Sequence, residues 1–324
     1  MLNFQNMSQK EEIAFGLFEN GLDFILSSTN HFSKCQSKVD IKYGILHLSS
    51  GIELVLKYRL SKEHWSLLFQ DIDKSSLDSF KSGDFKSVDF ESCISRLKKI
   101  CSLEIQEEEC KNLKFLKKKR NKFEHFGITD SEIALKSYST KVLSFIIDFI
   151  DKNIPKEDIN DSEYEILDEI RQNLAKFNEF VKHRLDEIQP IINSLKYANR
   201  VICPICFQET LEIDNGAKCY FCNYYGSAND VAEDYINNVL GISEYECVKN
   251  GGEYPKYICP DCGSNTFICL DADDGLNSWV CFDCGTCYND DEIDFCSLCN
   301  KLFISTDDSG DICNECFEYK VNEE

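Results

Sequence analysis

The stretch Cys203-Pro204-Ile205-Cys206, followed after 12 residues by Cys219-Tyr220-Phe221-Cys222, decides the architecture of the C-terminal part of this 324-residue chain. A gap of two residues lets both sulfur atoms of a pair approach one ion, and two such pairs complete a tetrahedron around Zn²⁺. The arrangement occurs twice more, with 18 and 13 residues between the pairs. We therefore predict three zinc sites, whose ligands are Cys203, Cys206, Cys219 and Cys222; Cys259, Cys262, Cys281 and Cys284; and Cys296, Cys299, Cys313 and Cys316.

The predicted ions are structural, because four cysteines at each site leave no position open for a bound water. Disulfide bonds are the alternative use of such pairs. Paired cysteines of the metal-binding type indicate a reducing compartment, so we expect a cytoplasmic protein. Three other cysteines of this region, Cys247, Cys269 and Cys287, have no assigned role. Cys287 also offers a rival pair with Cys284, so the sequence leaves two alternative ligand pairs for the second site.

The charge of the chain is unevenly distributed. Net charge is −22, and residues 200–324 carry 25 acidic and 6 basic residues, whereas residues 1–199 carry 32 and 29. Four thiolates around each zinc add about two further formal negative charges. The C-terminal region therefore repels phosphate, which argues against nucleic-acid binding there and favours a protein partner or inhibitor. The most apolar run, residues 142–150, is too short to span a bilayer, so we expect no membrane partner.

Hydrophobic spacing predicts helices before the cysteine pairs begin. Ile41, Ile45, Leu48 and Ile52 recur at intervals of three and four, and similar patterns suggest helices at about 9–28, 39–60, 90–100, 106–126 and 131–150. Residues 71–90 are expected to form a long loop, and a helix over 161–198 is expected to kink at Pro190. The predicted fold is an all-α bundle followed by small zinc-ribbon β-hairpin modules. The predicted segments are a helical domain (1–152), a helical connector (153–200), ribbon 1 (201–228), a short helical linker (229–256), ribbon 2 (257–288) and ribbon 3 (289–324).

One helix concentrates positive charge in this acidic chain. Residues 111–122 contain seven basic residues in twelve, and this run leads into Arg120, Asn121 and His125. On a helix, Asn121 and His125 share a face, and the long Arg120 side chain can reach it. Histidine carries protons near neutral pH, and arginine binds phosphate oxygens through its planar fork. This set suits RNA cleavage without a catalytic metal, with RNA bound by Lys117, Lys118, Lys119 and Lys122.

The motif Arg120-Asn121-Lys122-Phe123-Glu124-His125 resembles the signature of the HEPN superfamily, in which Arg is usually followed by a polar residue and four to six positions separate Arg from His. Four residues separate Arg120 from His125. Residues 44–60, which include Glu53, also look like an early helix of such domains. The resemblance covers about residues 1–150. It implies an all-α fold, a homodimer with a composite cleft, and endoribonuclease activity of a toxin or phage-defence type, with Arg120, Asn121 and His125 as catalytic residues.

Simpler interpretations of the same residues exist. Arg120 can form a salt bridge with Glu124 on an exposed helix, and His125 can cap the end of that helix. Some proteins of the resembled family have lost activity and only bind RNA or partners. The alternative function is therefore a non-catalytic dimeric adaptor that binds protein or RNA through its helical domain and acidic ribbons. For Glu53, in an apolar stretch, we expect a cationic partner, with Arg120 as the candidate.

Overall fold

The computed structural model describes residues 13–126, 129–195, 200–214, 216–249, 254–270, 278–305 and 310–322. Two compact units divide the chain, Met1–Asn173 and Leu174–Glu324. The first unit is helical, and the second contains small antiparallel sheets beside clusters of cysteine. This confirms the predicted helical N-terminal part and the series of small cysteine-bearing sheets. The boundaries of the six predicted segments stay predictions.

The N-terminal helices centre on a close antiparallel pair. Their bounds are α1 (Leu17–Ser33), α2 (Lys38–Glu63), α3 (Leu77–Ser82), α4 (Phe90–Lys99), α5 (Glu107–His125), α6 (Glu132–Asn153) and α7 (Asp161–Ala175). Ile45, Leu48 and Ile52 of α2 are at most 1% exposed, as the hydrophobic stripe predicts. A Cβ added to Gly51 would lie 2.7 Å from the carbonyl oxygen of Gly21 on α1. Only glycine permits this close approach, which brings the two helices into contact.

The segment between α2 and α4, predicted as a long loop, contains short helical turns. Two 3₁₀ turns, Trp65–Leu68 and Ile72–Lys74, precede α3. Ser76 caps α3 by accepting a hydrogen bond from the Ser79 N–H. Gly83 ends the helix with a left-handed φ of 74°. The capping serine and the terminal glycine are visible in the sequence. The polar composition of the segment nevertheless led to the prediction of a loop.

Arg96 of α4 holds this segment in place. Its guanidinium donates hydrogen bonds to the carbonyl oxygens of Leu67, Phe69 and Gln70. We expect Arg96→Ala to lower the free energy of unfolding by about 2–3 kcal/mol, since three carbonyls lose a charged donor and two of these hydrogen bonds are partly buried. Urea unfolding followed by Trp65 fluorescence in a Trp279→Phe background measures this loss. Lys99→Ala, an exposed position on the same helix, is the control; equal losses in both variants would show that the three bonds add no stability.

The second unit begins within a region predicted as one long helix over 161–198. The structure has two helices there, α7 and α8 (Asn178–Ile192), separated at residues 176 and 177. Phe177 takes an extended conformation, with φ −93° and ψ 95°, and is 2% exposed. Burial of this aromatic ring stabilises the break, whereas Pro190, predicted as a kink, lies inside α8. Residues 196–198 of the predicted helix lie outside the described residues.

Three antiparallel sheets follow in the described part of the second unit. The first has the order β1 (Arg200–Val201), β2 (Leu211–Ile213), β3 (Ala217–Cys219) and β4 (Tyr225–Gly226); the second has β5 (Phe267–Leu270), β6 (Ser278–Cys281) and β7 (Cys287–Asn289); the third pairs β8 (Ile293–Phe295) with β9 (Leu302–Ile304). The remaining helices are α9 (Ala228–Asn238), α10 (Glu244–Lys249) and α11 (Asn314–Asn322). The hairpin of β5 and β6 agrees with the β-hairpin modules that the sequence predicts. Asp271, Asp273 and Asp274, which the sequence suggests as an acidic turn between these strands, lie outside the described residues.

Ribbons 2 and 3 share one hydrophobic core. Buried Phe267, Trp279 and Ile293 form it together with Cys259 and Cys281. Rings from both ribbons meet there: Phe295 lies 5.4 Å from Tyr257 and 6.3 Å from Trp279, between centroids. On α9, Tyr235 packs against Phe282 of ribbon 2 at 5.2 Å. The ribbons are therefore packed modules, which cysteine spacing alone does not reveal.

None of the described helices is long and apolar enough to cross a bilayer.

Candidate functional site

The predicted zinc ligands gather into three groups of four cysteines. Within each group the sulfur atoms all lie within 4.8 Å of one another. Sulfur atoms of opposite pairs are 3.8 Å apart at Cys203–Cys222, 3.7 Å at Cys206–Cys219 and 3.7 Å at Cys299–Cys313. A tetrahedron of thiolates at about 2.3 Å from zinc has edges of about 3.8 Å, whereas a disulfide places its sulfur atoms about 2.05 Å apart. Each group is therefore compatible with one bound metal ion.

A repeated backbone turn builds these sites. In five of the six cysteine pairs, the residue after the second cysteine adopts a left-handed φ of 56–75° and donates its N–H to the carbonyl of the first; these residues are Phe207, Asn223, Gly263, Gly285 and Asn300. Glycine and asparagine enter this region at the lowest steric cost. Four of the five positions thus carry the residue that the turn favours, and Phe207 is the exception.

The second site uses Cys284 and not the rival Cys287. The sulfur of Cys284 lies 3.8 Å from that of Cys259 and belongs to the four-cysteine group. Cys287 lies on β7, paired in register with Val280. Cys269 lies on β5 and packs against the core shared by ribbons 2 and 3. The structure therefore places both cysteines outside the metal-type groups.

The first site is the most enclosed, and α8 supports it. All four of its cysteines are buried, whereas each of the other sites has an exposed cysteine. Arg184 of α8 is 3% exposed and donates to the carbonyl oxygens of Phe221 and Tyr220, each at 3.1 Å. Thr210 Oγ1 lies 3.2 Å from Cys219 Sγ, a distance at which its hydroxyl donates to a thiolate. Arg184 also pairs with Glu187 at 3.0 Å, so its contribution is to hold the backbone before Cys222. Thr210 is the residue whose hydroxyl reaches a sulfur.

A basic cleft follows one face of α5 in the helical unit. Its volume is about 370 Å³. The face presents residues three or four apart, and Phe90, Glu91 and Phe126 complete the walls around Lys114, Lys117, Lys118, Asn121, Lys122 and His125. Five predicted site residues are therefore brought together. Lys114 was not singled out by sequence reasoning, although its spacing from Lys117 and Lys118 places it on the same face.

Two predicted site residues lie outside this lining. The Lys119 amine pairs with Asp130 and lies 4.6 Å from the centre of the Phe115 ring. Arg120 Nη1 lies 2.7 Å from Glu124 Oε2, the salt bridge that the simpler interpretation predicts. The substrate-binding role predicted for Lys119 therefore has no support in this arrangement. Arg120 itself does not line the cleft, but the next residue, Asn121, does.

Arg120 belongs to a connected polar cluster at the end of α5. Its Nη1 also donates to Asn121 Oδ1 at 3.2 Å. Glu124 Oε2 lies 3.8 Å from His125 Nε2, and the His125 side chain is 66% exposed. The carboxylate of Glu124 thus lies between a guanidinium and an imidazole, a position that sequence analysis considered only as a surface ion pair. An exposed imidazole with a carboxylate beside it can take up and release a proton.

The prediction that Arg120 is the cationic partner of Glu53 was wrong. Glu53 Oε1 accepts a hydrogen bond from Lys57 Nζ at 2.7 Å, one helical turn along α2. Lys57 also donates to Ser87 Oγ at 3.0 Å. A partner four residues away on the same helix satisfies the carboxylate, so a bond across the bundle is unnecessary.

Comparison of the chain with family models, with curated proteins and with solved structures found no match.

Proposed function

We propose that this chain is a cytoplasmic endoribonuclease of a toxin or phage-defence type that cleaves RNA without a catalytic metal ion. The observation that carries the proposal is the cleft on α5, where Asn121 and His125 lie among four lysines. Lysines in a concave surface concentrate a polyanion and bind its phosphates. The His125 imidazole in the same cleft can carry one of the protons that must move when the ribose 2′-hydroxyl attacks the phosphate.

The proposed reaction breaks one phosphodiester bond. The ribose 2′-oxygen bonds to phosphorus, its proton passes to a base, and an acid protonates the departing 5′-oxygen. The products are a 2′,3′-cyclic phosphate and a 5′-hydroxyl. His125 moves one proton, Arg120 offsets charge on the phosphate oxygens, and Asn121 orients the strand.

One imidazole cannot be base and acid in the same step. A second copy of the chain, related by a two-fold axis, would bring another His125 to the same phosphate. A homodimer through the helical unit is therefore part of the proposal. The resemblance of Arg120, Asn121 and His125 to the HEPN motif supports the same arrangement.

The three cysteine sites are proposed to hold structural zinc. Their sulfur spacing fits zinc, and four cysteine ligands leave no place for a reactive water. The ribbons would then form a rigid, acidic surface for a protein partner or inhibitor. Nucleic acid is not the proposed ligand of this surface, because its charge repels phosphate.

Replacing His125 by alanine tests the proposed activity. We expect RNA cleavage by the purified chain to fall about 10²–10⁴-fold, because the proton carrier is lost. Cleavage products are followed by gel electrophoresis with a 5′-labelled RNA. Brief EDTA treatment that leaves the bound zinc in place should not change the wild-type rate.

His64→Ala is the matched control, since His64 is exposed and lies outside the cleft. It should retain wild-type cleavage. Replacement of the ribose 2′-hydroxyl by hydrogen at the cut site should abolish cleavage, because the nucleophile is missing. Equal cleavage of RNA by the wild type and by His125→Ala would contradict the proposed activity.

The second candidate function, a non-catalytic dimeric adaptor, is favoured by the salt bridge between Arg120 and Glu124. In this alternative the guanidinium stays paired with Glu124 and does not act on a phosphate. The adaptor predicts RNA or protein binding with no cleavage by the wild-type chain. The assay with His125→Ala therefore separates the two functions.

A further inference from the structure

A second cleft shares one wall with the basic cleft. Its volume is about 560 Å³, within the range of small-molecule sites. Phe126 lines both clefts, and Val39, Ile41, Phe123 and Leu135 provide further apolar lining in the second. We name it the Phe126 cleft. Phosphate-binding and apolar surfaces therefore meet at one aromatic side chain.

Two apolar residues of the Phe126 cleft are exposed to solvent, whereas Ile41 and Leu135 of the same lining are buried. Phe126 is 78% exposed and Val39 is 48% exposed. Scattered exposed apolar side chains need no explanation, but here they line a concave surface beside a basic one. An occupant that covers them would remove apolar area from water.

The polar groups of the same cleft limit the choice of occupant. Lys38, Lys42 and Thr129 bring hydrogen-bond donors to an otherwise apolar lining. The two carboxylates, Asp130 and Glu132, form ion pairs with Lys119 and Lys136. This combination suits a flat aromatic group with polar edges better than an aliphatic chain.

We propose that the Phe126 cleft binds the base of an RNA nucleotide whose phosphate lies in the basic cleft. A base lies one ribose away from its phosphate, and the two clefts lie on either side of one residue. Proteins that bind single-stranded RNA stack its bases on aromatic side chains and read their polar edges. The inference rests on the proposed function, and it adds a base-binding site to the phosphate-binding one.

Binding of uncleavable oligonucleotides to the full chain tests this site. Two short, fluorescein-labelled 2′-O-methyl oligonucleotides are compared, one with all its bases and one abasic, with the same number of phosphates. We expect the base-containing strand to bind about 10-fold more tightly or better, because its bases can stack on the Phe126 ring. Phe126→Ala should remove this difference, and Phe126→Trp should retain it.

Ile133→Ala is the matched control. Ile133 is 81% exposed and, unlike Phe126, does not line the cleft. It should leave the ratio of the two affinities unchanged. Equal affinity for both strands, or no binding of either, would overturn the inference.

A second copy of the chain is the other occupant to exclude. If Phe126→Ala converted a dimer into a monomer in analytical ultracentrifugation and left the affinity ratio unchanged, the cleft would be an interface and the inference would fail. None of these outcomes decides whether RNA is cleaved. The cleavage assay with His125→Ala decides that separately, so the failure of either claim can be recognised.

Discussion

Serine in place of Cys222 is expected to release one metal ion per chain and to unfold ribbon 1. Cys222 is 1% exposed, and its sulfur is one of four in the most enclosed site. A serine hydroxyl does not ionise at neutral pH, so the ion loses a ligand. Structural zinc contributes about 10–16 kcal/mol to the folding of small domains, and we expect at least about 5 kcal/mol of it to be lost here.

Elemental analysis and hydrogen exchange measure the two effects. With the proposed zinc in the three sites, the bound metal should fall from three ions per chain to two. Hydrogen exchange should become faster in β1–β4 and also in α8. The reason is that Arg184 of α8 donates to the carbonyls of the two residues that precede Cys222. A rise confined to the β-strands would show that α8 folds without the site.

Cys287→Ser is the matched control, because Cys287 is a partly buried cysteine three residues from the ligand Cys284. All three ions should remain in this variant. Retention of three ions by Cys222→Ser would contradict the assignment of the first site. Loss of an ion from Cys287→Ser would overturn the choice of Cys284 for the second.

The cysteine groups could be predicted from sequence because their geometry is local. A two-residue gap brings two sulfur atoms together, and the asparagine or glycine after most pairs supports the turn. What could not be predicted is which other elements of the chain each ribbon packs against. Arg184 lies more than thirty residues before the carbonyls that it binds, and nothing in its neighbourhood indicates a buried role. The core shared through Trp279 and Phe295 depends equally on contacts between modules.

In the helical unit, too, local sequence patterns predicted some features and missed others. The stripe of Ile45, Leu48 and Ile52 predicted the buried face of α2, because one apolar face must pack somewhere. Ile13 falls within the helix predicted over about 9–28, but it is 91% exposed and precedes α1, which begins at Leu17. Residues 9–12 of that predicted helix lie outside the described residues.

The basic cleft was predicted in part. Spacing placed Asn121 and His125 on one face, and the structure agrees. Sequence could not add Phe90, which comes from α4, or show that Lys119 pairs with Asp130 beyond the end of the helix. The two clefts that meet at Phe126 depend on how α2, α5 and α6 pack, and no short motif records that arrangement.

Arg120→Ala is expected to lower kcat for RNA cleavage about 10²–10³-fold with a smaller change in KM. Its guanidinium is the proposed donor to the charge that develops on the phosphate, and loss of such a donor has this magnitude. Arg120→Lys should restore little, because an ammonium lacks the planar fork that holds two phosphate oxygens. Single-turnover cleavage with excess chain separates this chemical step from binding.

The salt bridge with Glu124 does not prevent this role on energetic grounds. The side chains of Arg120 and Glu124 are 34% and 33% exposed, and an exposed pair four residues apart on a helix contributes only about 0.3–0.5 kcal/mol. A bidentate, charge-assisted contact with phosphate is stronger. The guanidinium can therefore exchange Glu124 for the substrate at small cost.

Arg59 provides the matched control for Arg120. It forms an ion pair with Glu63 on α2 with the same i,i+4 spacing and a distance of 2.8 Å, and it lies outside the basic cleft. Arg59→Ala should leave kcat unchanged, because the ion pair that it removes lies outside the basic cleft. If Arg120→Ala also kept the wild-type kcat while His125→Ala lost activity, Arg120 would be a structural partner of Glu124 alone. The lysines of the cleft would then have to offset the phosphate charge, which is a different catalytic site from the one proposed.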